Sequence, residues 1–176
     1  MRAMKTPTLF AAVTGVAAVP AAADAAELTV SVEIPRLSVA EYHRPYVALW
    51  IERPDETAAV KTLAVWYDTK LAKGEGATWL KDMRQWWRKA GRSMTLPADG
   101  VSGPTKAPGK HQAVFTAAQL SGLAPGQYNL AIEAAREVGG REVVRVPFSW
   151  PPKAGARPAS AKGASELGAI SVSTKP

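Results

Sequence analysis

The chain has 176 residues, a mass of 18.6 kDa and a formal net charge of +7. This length suits one ordinary domain and excludes two full-sized ones. Hydrophobic residues make up 47% of the chain, which excludes a wholly disordered protein. Because there is no cysteine and there are only two histidines, disulfides, thiolate metal sites, cysteine nucleophiles and sites built from several histidines are excluded.

The first 25 residues have the pattern of an export signal. Arg2 and Lys5 precede an apolar run at 9–20, and an A-x-A cleavage pattern follows. The run is too short to span a bilayer, which takes about 20 residues. We therefore predict a cleaved signal peptide over 1–25 and a periplasmic location. Export argues against a nucleic-acid partner despite the positive charge, and no transmembrane helix is expected in the mature chain.

Alternating hydrophobicity predicts about seven short strands in the mature chain. Residues 27–34 alternate without a fault between apolar and polar side chains, as in a half-buried strand. Residues 45–53 are apolar on both faces, as in a central strand covered on both sides. Further strands are predicted at 60–68, 111–116, 123–137 and 141–150.

These strands predict a β-sandwich domain over residues 26–150. The segment 151–164 is rich in Pro, Ala, Gly and Lys and low in large apolar groups, so it is predicted to be flexible. In the last segment, 165–176, Ile170 and Val172 alternate with serines. A closing edge strand is therefore predicted there.

One segment changes to the helical period. Leu80, Met83 and Trp87 recur at the spacing of one helix face, and Thr78 stands where a helix N-cap is expected. Basic residues and Gly91 mark the end of the segment. A helix of roughly three turns is predicted at about 78–90.

Charge pairing predicts the register of the hairpin between the strands at 123–137 and 141–150. With a three-residue loop at 138–140, Glu133 faces Arg145 and two further pairs also have opposite charges. The same register keeps the apolar residues of both strands on one face.

The order of elements indicates an antiparallel β-sandwich with one inserted short α-helix, because an α/β fold needs helices between most strands. The motif Leu123-x-Pro125-Gly126-x-Tyr128 resembles the tyrosine corner of immunoglobulin-like domains. In that corner the tyrosine hydroxyl bonds backward to the main chain. We therefore predict an all-β, immunoglobulin-like sandwich in which Pro125, Gly126 and Tyr128 have structural roles.

Several segments together carry a more specific resemblance. They are 44–52, Trp66, the tryptophan-rich segment 79–87, 125–128 and 133–137. In this order they resemble a family of predicted bacterial periplasmic proteins, the domain of unknown function numbered 2271. The resemblance covers almost the whole mature chain, and the family has no assigned catalytic residues.

The resemblance implies a functional neighbourhood. Proteins of that family tend to be encoded beside membrane proteins with PepSY domains and beside the transferase that attaches FMN covalently to exported proteins. Both belong to extracytoplasmic electron transfer and iron reduction. The resemblance therefore implies an accessory role in such a system, with a PepSY-domain membrane protein and the FMN transferase as partners.

The tryptophan-rich segment is the main candidate for a ligand or partner surface. Trp79, Trp86 and Trp87 with Arg84 and Arg88 suit a planar ligand such as a flavin or porphyrin, held by stacking and by guanidinium groups. The alternative is that the stripe packs the helix onto the sandwich. Packing is favoured for Met83 and Trp87, and the exposure of Trp86 stays open because adjacent helical residues do not face one core.

The tripeptide Gly76-Ala77-Thr78 is similar to the site that the FMN transferase modifies, where a phosphodiester link needs an accessible hydroxyl. Ala72 stands where such sites carry an acidic residue, and Thr78 is also the predicted N-cap. Capping is therefore the preferred role of Thr78, with covalent FMN as the alternative.

The two histidines allow one further hypothesis. His43 and His111 adjoin turn residues, and a copper or iron site completed by Asp68 or Asp82 requires the fold to bring them together. Exposed loop histidines are the favoured interpretation. No G-x-S-x-G motif or paired-carboxylate site supports an enzyme.

We therefore predict an exported, non-enzymatic binding or interaction module, accessory to an extracytoplasmic flavin or iron electron-transfer system. The alternative is a soluble carrier that itself holds a flavin, a haem or a metal ion.

Overall fold

The computed structural model describes residues 26–176, so the predicted signal peptide lies outside the described residues. This part of the chain forms nine strands and one short α-helix. The strands are β1 (Glu27–Ile34), β2 (Tyr46–Glu52), β3 (Ala59–Tyr67), β4 (Ser102–Pro104), β5 (Gly109–Thr116), β6 (Gly126–Ala135), β7 (Arg141–Trp150), β8 (Ala159–Lys162) and β9 (Ala169–Lys175). The helix α1 (Arg84–Lys89) lies between β3 and β4.

The strands form two sheets that pack as a sandwich, which confirms the predicted all-β architecture with one short helix. The four-stranded sheet has the order β5-β1-β9-β8, and the five-stranded sheet has the order β4-β3-β2-β6-β7. Every pairing is antiparallel except that of β3 with β4.

The apolar faces that the sequence predicts meet between the sheets. Leu28, Val30 and Val32 of β1 are buried there, because alternate residues of a strand point to the same face. Strand β2 is central and is covered on both faces, as predicted. Its Leu49 belongs to the core between the sheets, whereas Trp50 belongs to a second apolar cluster on the other side of the five-stranded sheet.

The predicted tyrosine corner is present. The Tyr128 hydroxyl donates a hydrogen bond of 2.6 Å to the carbonyl oxygen of Ala124. The Tyr128 ring packs on Phe148 with the ring centroids 5.8 Å apart. This arrangement is compatible with an immunoglobulin-like sandwich.

The end of the chain differs from the prediction. The segment predicted to be flexible, 151–164, contains strand β8, and β9 lies between β1 and β8 rather than at an edge. The sandwich therefore extends beyond residue 150. The Glu142 carboxylate explains part of the difference, because it accepts backbone hydrogen bonds from 164–167, including one of 2.9 Å from Leu167.

The predicted register of the β6–β7 hairpin is wrong by two residues. Ala135 lies opposite Arg141 and Glu133 lies opposite Val143, so the connecting loop is the five residues 136–140. The shift by two keeps the inward faces of both strands unchanged. The Arg136 backbone N–H donates to the Gly140 carbonyl oxygen at 3.1 Å in this register, and its side chain forms an ion pair with Glu166, at 2.8 Å from Nε to Oε2.

The predicted helix at about 78–90 is also corrected. A 3-10 segment spans Ala72–Asp82, α1 spans six residues, and a second 3-10 segment spans Gly91–Ser93. Met83 has a non-helical ψ of 72° and separates the first two segments. We call residues 72–93 the insert.

Candidate functional site

The insert packs on the outer face of the five-stranded sheet, the face turned away from the four-stranded sheet. Leu80, Met83 and Trp86 are buried there against Trp50 and Val65. The Trp86 indole nitrogen donates a 3.1 Å hydrogen bond to the Thr62 hydroxyl. Trp86 is therefore a structural residue, which answers the question that the sequence left open.

Glu133 fixes the start of α1. Its side chain is fully buried, and its carboxylate accepts the backbone N–H groups of Gln85 at 3.1 Å and Trp86 at 2.7 Å. Arg141 Nη1 donates to the same carboxylate at 2.8 Å. A carboxylate suits this place because the first N–H groups of a helix lack partners within the helix. Glu133 thus performs the capping role that the sequence predicted for Thr78.

Glu52 fixes the other end of α1. Its carboxylate accepts hydrogen bonds from the Trp50 indole at 2.7 Å, from Lys89 at 2.9 Å and from Arg145 at 2.7 Å. Burial opposes its ionisation, but these hydrogen bonds together hold the pKa of Glu52 below its ordinary value. Arg145 also donates to the Gln85 side chain at 2.7 Å, so the two ends of the helix share one polar network.

Two of the three buried carboxylates of the described chain, Glu52 and Glu133, hold α1, and the local sequence patterns do not reveal this role. The sequence predicts only an ordinary cross-strand pair of Glu133 with Arg145 and indicates no role for Glu52. Glu52 ends the otherwise apolar strand β2, and Glu133 stands within the apolar run 130–135 of β6. A charge in such a run is a signal for a buried partner, since buried charges need pairing.

The structure separates the five residues of the predicted ligand or partner surface. Trp86 is buried, and Trp87 is half-buried with its ring centroid 6.2 Å from that of Trp86. Trp79 is 54% exposed, and Arg84 and Arg88 are exposed as well. Accessible aromatic and cationic groups are therefore present, but they do not form one stacked tryptophan cluster.

The insert has a distinct cationic surface, which we call the basic face. It consists of Lys81, Arg84, Arg88 and Arg92. All four side chains are exposed, and within residues 26–176 none of them forms an ion pair. A shallow groove of about 380 Å³ runs beside Trp87 among three of these cations.

Thr78 is exposed within the first 3-10 segment and is not its N-cap, which is Leu71. Within the described part of the chain its hydroxyl forms no hydrogen bond. The predicted capping role is therefore wrong, because α1 starts at Arg84 and the backbone N–H groups of Gln85 and Trp86 bind Glu133. The neighbouring Trp79 lies at the rim of a large cleft.

This cleft, which we call the end cleft, has a volume of about 830 Å³. It lies between the segment before β2, the insert and the β6–β7 loop. The side chains lining it that matter for its chemistry are Tyr42, His43, Arg44, Asp68, Leu71, Trp79, Asp82, Arg84, Arg136, Glu137, Val138 and Arg141. Of the predicted surface, Trp79 and Arg84 belong to the end cleft, whereas Trp87 and Arg88 do not.

The two histidines lie in different parts of the sandwich. His43 lines the end cleft together with Asp68 and Asp82, and its Nε2 lies 2.7 Å from a Glu41 carboxylate oxygen. His111 belongs to β5 of the other sheet, and its ring nitrogen lies 2.7 Å from the Ala107 carbonyl oxygen. Among residues 26–176, no cluster of three or more His, Asp or Glu side chains suits a metal ion.

No helix within residues 26–176 has the length and apolar character needed to cross a membrane.

Comparison with known proteins places the chain in a family. No curated protein and no solved structure shows a significant match. The family model described as "Predicted periplasmic protein (DUF2271)" matches residues 27–169. The chain belongs to this family of predicted periplasmic proteins.

Proposed function

We propose that the chain is an exported, non-enzymatic interaction module that serves an extracytoplasmic flavin or iron electron-transfer system. Its proposed partner is a membrane protein with a PepSY domain, docked on the basic face of the insert. The family resemblance supports the link to electron transfer, and the exposed cations of the basic face support docking at this surface. The chain requires export through its signal peptide for this role.

The observation that carries the proposal is the contrast between fixed and free cations on one helix. Lys89 and the neighbouring Arg145 are bound to the buried Glu52. Arg84 and Arg88, on the same helix, have no ion-pair partner among the described residues. The fold thus holds the helix rigidly and presents charge outward, an arrangement that favours an acidic partner surface and fast association.

Photo-crosslinking in the native organism tests this proposal. A photoreactive residue at position 87 is expected to trap a PepSY-domain membrane protein, identified by mass spectrometry. Arg88→Glu combined with Arg92→Glu is expected to reduce the crosslinked product about tenfold, because charge reversal at a rim weakens association. Arg157→Glu, which reverses an exposed charge after β7, is the matched control and should leave the yield unchanged.

Loss of the crosslink at higher salt would agree with a screened electrostatic contact. A yield that is equal for the double variant and for the Arg157→Glu control would contradict the docking surface. A trapped product without a PepSY domain would contradict the proposed partner.

A second candidate function is a carrier that holds FMN covalently on Thr78. The exposed Thr78 hydroxyl, free of hydrogen bonds within the described chain, favours it. Trp79 is exposed beside it and suits stacking on a flavin ring. These two residues fit the group, which would supply one-electron and two-electron redox chemistry when attached by the FMN transferase.

Intact mass and absorbance of the protein from its own organism test the carrier hypothesis. A carrier is yellow, has the mass of one added FMN, and loses both properties in Thr78→Ala. Thr57→Ala, at another exposed threonine, is the matched control and should keep them. A colourless chain of unmodified mass would contradict the covalent flavin and would leave the docking proposal untouched.

A further inference from the structure

The end cleft has an apolar rim. Leu71, Trp79 and Val138 line it, and all three are exposed, with Val138 73% accessible. Among residues 26–176, six large hydrophobic side chains are exposed to this degree. Three of the six surround the opening of the end cleft. Converging exposed apolar groups are typical of a binding site rather than of ordinary surface.

The lining of the cleft also includes two polar atoms without a partner. Arg136 has a side chain that is only 6% exposed, and its Nη1 forms no hydrogen bond. The Tyr42 hydroxyl is likewise buried and unbonded. Buried polar atoms are normally satisfied, so two orphans in the lining of one cleft indicate a missing acceptor.

Both orphans are donors. The remaining nitrogens of Arg136, Nε and Nη2, bind Glu166 at 2.8 and 3.1 Å, which fixes the guanidinium in place. Burial raises the pKa of Tyr42, so its hydroxyl stays protonated and can donate. Tyr42 and Arg136 both line the end cleft, and the charge of Arg136 acts to lower the pKa of Tyr42 against the larger effect of burial. A carboxylate or phosphate oxygen, which accepts charge-assisted hydrogen bonds, is one acceptor that suits these donors.

The β6–β7 loop covers the Arg136 guanidinium. A Cβ atom at Gly139 would lie 2.3 Å from Arg136 Cζ, so the loop can approach this closely only with glycine there. The next residue back, Val138, has a positive φ of 50°, which is strained for a β-branched side chain. Gly139 thus lies against the guanidinium, and the strained Val138 beside it forms part of the apolar rim.

The other charges of the cleft are mixed. Arg44 and Arg84 have no ion-pair partner within the described chain, and Arg141 is bound to Glu133. Asp68, Asp82 and Glu137 supply negative charge. The cleft therefore lacks a uniform positive field, and recognition of an anion depends on the directed donors of Arg136 and Tyr42.

We propose that the end cleft binds a small molecule with a planar apolar body and one acidic group, a carboxylate or a phosphate. The acidic group accepts hydrogen bonds from Arg136 and Tyr42, and the planar body packs on Trp79 within the apolar rim. The volume of about 830 Å³ suits a molecule of this size, since such sites span roughly 300–1,000 Å³. This site does not depend on the docking of a protein at the basic face.

Calorimetric titration of the exported chain with three probes of one ring system tests the proposal. The probes are 1-naphthyl phosphate, 1-naphthoate and the uncharged 1-naphthol. We expect at least one acidic probe to bind about tenfold or more tightly than 1-naphthol, because a hydrogen bond to a charged group contributes that much. The acidic probe that binds more tightly shows whether the site prefers a carboxylate or a phosphate. Equal affinities for all three probes, or no binding, would overturn the proposal.

Variants separate the two halves of the site. Tyr42→Phe removes only the hydroxyl. It should lower the affinity for the acidic probe about fivefold or more and leave the affinity for 1-naphthol unchanged. Trp79→Ala should lower the affinity for all three probes about tenfold. Val114→Ala, at an exposed apolar residue of β5, is the control and should change none. Tyr42→Phe and Trp79→Ala with wild-type affinity would overturn the proposed contacts.

The variant Arg88→Glu with Arg92→Glu distinguishes this site from the docking surface. Neither residue lines the end cleft, so the double variant should bind the acidic probe with wild-type affinity. A large loss of affinity in this variant would contradict the assignment of the ligand to the end cleft.

Discussion

The two faces of the five-stranded sheet are packed in different ways. The inner face meets the four-stranded sheet through apolar side chains such as Leu49 and Ile132. The outer face also has an apolar centre around Trp50, but the insert that covers it is bound by two buried carboxylates. Apolar contact favours burial without fixing direction, whereas hydrogen bonds fix position. The outer face therefore determines where the insert lies.

This difference matters for function because both proposed surfaces depend on the outer layer. The basic face belongs entirely to the insert, and Trp79 and Arg84 of the insert line the end cleft. The inner core serves as the scaffold that supports them. Substitutions on the inner face should therefore destabilise the whole sandwich, whereas substitutions on the outer face should loosen the insert.

The largest effect is expected in the inner core. Leu49→Ala removes a fully buried side chain from a central strand and should lower the free energy of unfolding by about 4 kcal/mol. All parts of the sandwich should unfold together in chemical denaturation followed by circular dichroism. Val114→Ala, at an exposed apolar residue, should cost less than about 0.5 kcal/mol. Similar losses in both variants would contradict the burial of Leu49.

The next effect is local to the outer face. Glu133→Gln replaces the carboxylate that caps α1 and pairs with Arg141, and should cost about 3 kcal/mol. The insert should loosen before the sandwich unfolds, which fluorescence of its tryptophans would reveal as an early transition. Glu137→Gln changes an exposed carboxylate just after the same strand and is the matched control. A single transition with unchanged stability in Glu133→Gln would contradict the capping role.

A smaller effect is expected from acid. The pKa of Glu52 and that of Glu142 are lower in the folded chain than their ordinary value of about 4.5, because hydrogen bonds outweigh the opposing effect of burial. Their contribution to stability is thus complete above that value and is lost as the pH falls through the folded-state pKa. The free energy of unfolding, measured by denaturation from pH 7 downward, should decrease below about pH 5.

The variant Glu52→Gln sharpens this test. It should be less stable at pH 7 and should show a shallower decrease in stability with acid than the wild type. Identical pH profiles for the variant and the wild type would contradict the assigned network around Glu52.

The smallest effect is expected at the tyrosine corner. Tyr128→Phe removes the hydrogen bond to Ala124 and keeps the ring, so it should cost about 1 kcal/mol. Denaturation should show this loss without a separate transition of the insert, because the corner belongs to the inner face. Tyr67→Phe, on the outer face, is a useful comparison of the same chemical change. No loss of stability in Tyr128→Phe would contradict the corner.

The sequence predicts the inner face better than the outer one, for a physical reason. Alternation with period two identifies the buried faces of β1 and β2, because neighbours along a strand point in opposite directions. The tyrosine corner is also local, because its hydrogen bond joins Ala124 and Tyr128, four positions apart. Structural features that depend on residues close together in the sequence can therefore be predicted from the sequence alone.

The misread features depend on partners far away in the chain. Glu133 lies 48 residues from Gln85, so its capping role has no local signal, and Thr78 was assigned that role instead. The predicted hairpin register relies on charge pairing within the hairpin, whereas the Arg136 side chain binds Glu166, 30 residues later. The sequence predicts β9 as an edge strand, whereas β9 pairs with β1 as well as with β8. The pairing with β1 joins the two ends of the described chain, so no local pattern indicates it.

Hydrogen–deuterium exchange of the insert tests most directly whether buried carboxylates hold it on the sandwich. We expect the amides of Gln85 and Trp86 to be protected in the wild type to the same degree as those of β2 and β6. Glu133→Gln should speed their exchange about a hundredfold while the β2 amides change much less. Rapid exchange of these amides in the wild type, or no change in Glu133→Gln, would contradict the account.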